Sequence, residues 1–170
     1  MSFFIKIINL FIIGILMAVI VYPILHELAH SIACVLFGAE IIEVNLFPCP
    51  SVLCNVDGVS NIGVIVIGIS GVVLPFIFAM IVKTNKFWIW YMKYVTKLIS
   101  ALAFIISAIS SICFLTGRPL SNDDITQILL VWENNKWICV IAFIGLSIIA
   151  VLELVKEKPV KKCLENFKLI

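Results

Sequence analysis

The sequence predicts an all-α integral membrane protein of about four transmembrane helices, with a small β-hairpin or re-entrant loop between the first and second. Three observations carry that prediction. Of the 170 residues, 63% are hydrophobic and 13% charged, whereas a soluble domain runs at roughly 45–50% and about 25%. The mean hydropathy is +1.21, more than one water-soluble core of this size could hide. Four separate segments are also long and apolar enough to cross a hydrocarbon layer of about 30 Å, which takes about 20 helical residues.

The first segment, about residues 5–37, contains the charge-free run Ile7–Ile24. At about 1.5 Å per residue it is too long for one straight span, so it must tilt strongly or bend, and Pro23, which has no N–H to donate, marks the place. Only Lys6 precedes the run, and no small-residue cleavage site interrupts it, so it reads as an uncleaved span and not as a signal peptide. Gly38 is a natural helix stop. Residues 41–60 hold Val, Ile, Asn, Pro and an Asp-Gly pair, with alternation in Glu43-Val44-Asn45-Leu46, which predicts a hairpin or re-entrant loop.

The second span, about residues 61–82, carries Gly63, Gly68, Ser70 and Gly71. Small residues let helices approach closely in lipid, so this span should lie against the first. Phe87-Trp88-Ile89-Trp90-Tyr91, with lysines on both sides, has the character of a segment at the membrane surface and is not expected to be a fifth span. The third and fourth spans are about 97–116 and 137–155, and a polar cytoplasmic tail, 156–170, follows. No repeat, low-complexity tract or linker divides the chain, which leaves one membrane domain in contact with the lipid bilayer.

Charge sets the orientation. With four spans, ten of the twelve cations fall on the side shared by both ends of the chain, and the other side keeps Arg118 and Lys136. The positive-inside bias makes the lysine-rich face cytoplasmic, with both termini inside the cell membrane. A net charge of +2 without a contiguous basic face excludes nucleic-acid binding. Of the six cysteines, Cys49 and Cys54 lie close together in the loop, and a disulfide between them is available if the loop faces an oxidising compartment; the alternative is two free thiols.

The chain has two histidines, and they stand in His26-Glu27-Leu28-Ala29-His30, an HExxH pattern. On a helix, positions i and i+4 share a face, so both imidazoles can reach one metal ion while Glu27 approaches a water bound to it. Zinc lowers the pKa of such a water to about 7, and an adjacent carboxylate can take its proton and later pass it to a leaving amine. The bland alternative, two hydrogen-bonded core histidines beside a packing glutamate, must meet the cost of an ionisable group in a membrane helix, roughly 2.5–3.5 kcal/mol. Catalytic zinc sites usually have three protein ligands. Candidates for the third on the non-cytoplasmic side are Glu40, Glu43, Asp57, Asp123, Asp124 and Glu133. Ser121-Asn122-Asp123-Asp124-Ile125 reads as a helix start, where one carboxylate caps the backbone and its neighbour is free to point inward. Asp57, next to Gly58, is first a turn residue. Arg118 reads as an interfacial cation, with an acid or a substrate carboxylate as its other partners.

On these residues the chain resembles the site-2 protease family of intramembrane zinc metalloproteases, and more closely that family's small bacterial relatives. Gly68-Ile69-Ser70-Gly71 in the next helix and an Asp-bearing loop after the third add to the motif. The resemblance implies that His26 and His30 bind zinc, that Glu27 is the general base, and that an aspartate from a later helix completes the site. Typical members carry a Leu-Asp-Gly segment in a membrane helix, and this chain has none after residue 61. The smaller relatives instead have an aspartate followed three residues later by a polar residue and then an aliphatic, which Asp124, Gln127 and Ile128 reproduce. That pattern favours Asp124 over Asp123. The function it implies is zinc-dependent hydrolysis of a peptide bond in or beside a membrane segment of a partner protein or peptide. The competing readings are a catalytically inactive metal-binding membrane protein with a structural or regulatory role, and a small transporter. A transporter would place further acids or histidines on several spans, and here the only acids near the other apolar runs are Glu133 and Glu153.

Overall fold

Four helical stretches long and apolar enough to cross a membrane run through the computed structural model, together with one two-stranded antiparallel sheet. The structure describes residues 3–118, 124–132 and 136–167. The first stretch is divided into α1 (Phe3–Leu16), a π-helical segment (Met17–Val21) and α2 (Tyr22–Leu36). The interruption sits directly before Pro23, where the missing N–H withdraws a partner from the turn before it. Widening to π geometry absorbs the defect: the Tyr22 N–H reaches back to the Met17 carbonyl. Gly38, at φ +75°, ends α2, and the Ala39 N–H closes on the Cys34 carbonyl at 2.9 Å.

The chain then forms β1 (Glu40–Asn45) and β2 (Ser51–Asn55), paired with a bulge between Ile41 and Glu43. The two strands are joined through a connection that contains a cis Phe47–Pro48 bond. Ile41 stands opposite Cys54, and both turn toward a small buried cluster of Ala33, Cys34, Ala39 and Ile67. Neither a Cys49–Cys54 disulfide nor two free thiols, the alternatives the sequence leaves open, is what forms. Cys54 is joined to Cys34 of α2, with Cα atoms 6.7 Å apart, and Cys49 is an exposed free thiol. Strand alternation explains this, because Cys54 occupies the face of β2 that packs on α2.

Helix α3 (Asn61–Ile81) starts at Ser60, whose hydroxyl accepts the Gly63 N–H at 3.2 Å, and it packs against α2 as its small residues predict. Helix α4 (Phe87–Leu115) is longer than expected: the aromatic segment beginning at Phe87 is its first part and not a separate surface piece. Its 29 residues extend about 43 Å at 1.5 Å per residue, beyond the hydrocarbon thickness. A short helix α5 (Asp124–Val131) follows, then α6 (Lys136–Lys156). The expected plain tail contains a further helix, α7 (Pro159–Phe167), set off by Lys158 at φ 46° and by Pro159.

The main core gathers Phe76 of α3, Ala101, Phe104 and Ala108 of α4, Ile125, Ile128 and Leu129 of α5, and Cys139, Phe143 and Ala150 of α6. Large apolar side chains elsewhere on the spans are exposed, as lipid-facing helices require. With Ile125, Ile128 and Leu129 buried, α5 is fixed against α3 and α4, which sets where Asp124 at its start can reach.

Candidate metal centre

His26 and His30 follow one turn after the π segment, on the face of α2 that meets α3. Their Nε2 atoms are 3.1 Å apart, with the rings at 80° to one another. From α5, Asp124 Oδ2 lies 3.3 Å from His30 Nε2 and 3.7 Å from His26 Nε2. Three ligand atoms from distant stretches of chain thus converge on one point. Two imidazole nitrogens and a carboxylate oxygen placed in this way could hold a metal ion. Tetrahedral bonds of 2.0–2.1 Å would separate the ligand atoms by about 3.3–3.4 Å, so the observed spacings fit a zinc-sized cation.

The surroundings hold the ligands in this state. His30 Nδ1 is 2.7 Å from the Ile67 carbonyl oxygen, which can only accept, so Nδ1 donates there and Nε2 is the nitrogen turned toward Asp124. Ser70 Oγ donates to the same carbonyl at 2.6 Å and lies 3.3 Å from Nδ1. Gly71 makes the approach possible: a Cβ there would overlap His30 Nε2 and lie within 2.7 Å of His26 Nδ1. Gly68 does the same for α5, since its Cβ would come within 2.8 Å of Ile128. The stripe of small residues on α3 therefore admits the imidazoles from one side and the Asp124 helix from the other. Partial burial opposes ionisation of Asp124, but hydrogen bonds from His26 and His30 outweigh it and hold the carboxyl well below the usual carboxylate range. Its place at the first residue of α5 favours the anion further.

A cleft of about 540 Å³ opens beside these ligands. Glu27, His30 and Cys34 of α2 and Val64, Ile67 and Gly68 of α3 form its floor; β2 with Val56 makes one wall, and Asp124, Gln127, Ile128 and Val131 of α5 the other. Glu27 is half-buried. It is not among the converging ligands, and among the described residues its carboxylate makes no hydrogen bond or ion pair, so it stays available at the cleft floor.

Of the other acids, Glu40 and Glu43 are exposed on β1, where Glu43 Oε1 accepts from Asn45 Nδ2 at 2.9 Å. Asp57 is a turn residue before Gly58, its N–H donated to Asn55 Oδ1 at 3.0 Å. Asp123 and Glu133 lie outside the described residues, and Arg118 is exposed just beyond α4. Sequence reasoning missed the Ile67 carbonyl, which as a backbone group leaves no sequence signal, and Cys34 as a member of the cleft. Cys34 did leave one: it is four residues beyond His30, on the same helical face. No protein-family model, curated protein or solved structure matches this chain, so the reading of the site rests on its own chemistry.

Proposed function

We propose that this chain is an intramembrane zinc metalloprotease of the site-2 protease kind, hydrolysing a peptide bond in or near a membrane segment of a partner protein. The observation that carries the proposal is the convergence of His26, His30 and Asp124 at an open cleft whose floor also bears an unengaged carboxylate, Glu27. A purely structural metal site is closed by four protein ligands, whereas a catalytic one keeps a corner free. Zinc held there supplies Lewis acidity toward a carbonyl and toward water. The chain's own groups do the rest. His30, fixed by Ile67, and Asp124, fixed by the packing of α5, hold the cation in place. Glu27 accepts the proton of the attacking water and returns it to the amide nitrogen that leaves. Apolar walls of Val52, Val56, Ile128 and Val131 exclude bulk water from the exchange.

Orientation belongs to the same proposal. A disulfide persists where the compartment is oxidising, and Cys34–Cys54 lies at the cleft. The lysine distribution independently assigns the opposite face to the cytoplasm. In a bacterial cell membrane the cleft therefore opens outward, with both termini inside.

The test is metal analysis of the purified chain together with cleavage of a membrane-segment peptide. The expected result is about one zinc per chain, lost in His26→Ala, retained in Glu27→Gln, and cleavage lower in both by at least about a hundredfold. Cleavage at the wild-type rate by Glu27→Gln would overturn the mechanism, and retention of zinc by His26→Ala would overturn the site.

A further inference from the structure

Resting on that reading of the cleft, we infer that the Cys34–Cys54 disulfide is a redox latch: it holds strand β2 in place as a wall of the cleft, and its reduction releases that wall while leaving the metal ligands untouched. Both cysteines are among the residues around the cleft, Cys34 on the helix that bears the histidines and Cys54 on the strand opposite α5.

Little else fastens the hairpin. Among the described residues, the buried cluster beneath it receives only Ile41 and Cys54 from the two strands. Of the remaining large apolar residues of the strands and their connection, Ile42, Val44, Leu46 and Leu53 are at least half exposed and Phe47 is 89% exposed, and Val52, partly buried, faces the cleft and not a core cluster. A two-stranded hairpin is marginal alone, so an attachment this small leaves the covalent bond as its main restraint. Metal ligation does not depend on it, because His26 and His30 belong to α2 and Asp124 to α5.

The chemistry balances by thiol–disulfide exchange. The Cys54 thiolate attacks a sulfur of a donor disulfide and expels one donor thiolate; the Cys34 thiolate then attacks Cys54 Sγ in the mixed disulfide and expels the second. Two protons and two electrons leave the chain, and the donor departs as two thiols. A dithiol reverses the sequence. The cleft is thus complete only after the outward face has met an oxidising exchange partner, and a reducing dithiol opens it again.

Cys34 is fully buried and Cys49 is an exposed free thiol, which supplies an internal reference. The full chain is purified with zinc, and its disulfide is mapped without reduction. It is then reduced with a phosphine and labelled with a charged, membrane-impermeant maleimide, each rate being normalised to that of the same cysteine in the unfolded chain. The latch predicts a Cys34–Cys54 linkage before reduction and, after it, labelling of Cys34 within about tenfold of Cys49. Zinc content should stay constant throughout. Cys34 that remains more than about tenfold slower than Cys49 after reduction would show a hairpin that stays docked without the bond, and overturn the inference. Loss of zinc on reduction, or a linkage other than Cys34–Cys54, does the same. Labelling does not require hydrolysis, so a chain that labels as expected and cleaves nothing retains the latch and loses the protease reading.

Discussion

A methyl group added at Gly71 would occupy the space now filled by the two imidazoles, since the position of its Cβ overlaps His30 Nε2 and the His26 ring. Alanine is otherwise the better helix residue by about 0.8–1.0 kcal/mol in a helix interior. Propensity and site therefore pull in opposite directions at this one residue, which makes the substitution informative. Gly71→Ala should weaken zinc binding by about 10–100-fold, the range typical of disturbed outer-shell support, while the chain still folds and inserts. Gly145, where a Cβ would meet nothing within 4 Å, is the matched control. Its alanine variant should bind zinc as wild type does in a competition titration against a chelator. Equal affinities for the two variants would mean that α3 does not constrain the histidines.

Among the elements, α4 shows why sequence and structure disagree on a boundary. Lys93 and Lys97 lower the hydropathy of residues 87–97, so the span was expected to begin near Lys97. In the structure those charges are matched across the helix pair: Lys97 Nζ lies 2.8 Å from Glu157 and 3.7 Å from Glu153, Lys93 Nζ is 3.3 Å from Glu157, and Trp90 Nε1 donates to Glu157 at 2.8 Å. Lys97 is only 2% exposed. Such compensation is tertiary, and no window over a single segment can register it. The same limit applies to the cysteines, where the sequence offers a Cys49–Cys54 pair or two free thiols and the face of β2 selects Cys34 as the partner of Cys54. By contrast, the HExxH helix, its stop at Gly38 and the helix start at Asp124 rest on local spacing and chemistry, and these were legible. Removing one partner from a buried ion pair strands the other. Lys97→Met should thus destabilise the α4–α6 contact by up to about 3 kcal/mol, less than the full cost because Lys93 and Lys162 still reach Glu157. Thermal unfolding in detergent would show a lowered midpoint, partly restored in Lys97→Met/Glu157→Leu. An unchanged midpoint would make the cluster a surface feature with no role in holding the helices.

For the molecule as a whole, three features that arise from different physics fall into one arrangement. The lysines, which the positive-inside bias assigns to the cytoplasm, gather around the ends of the chain and the α3–α4 connection. Cys54 and Asp124 belong to the hairpin and α5, which an even number of crossings puts on one side, opposite the lysines, and Cys34, His26 and His30 meet them from α2. An outward cleft would meet extracytoplasmic parts of membrane partners, and an inward one would meet newly made chains, so orientation decides which substrates can enter. Two free cysteines mark the two sides: Cys49 on the hairpin connection and Cys163 on α7. In intact cells a charged maleimide should label Cys49, while Cys163 should react only after permeabilisation. Because Cys163 is partly buried, a Cys163→Ser chain with a cysteine introduced at the exposed Lys161 serves as the second reporter. Labelling of the inner reporter in intact cells, with Cys49 protected, would invert the topology and put the Cys34–Cys54 bond in a reducing compartment, where it would not persist.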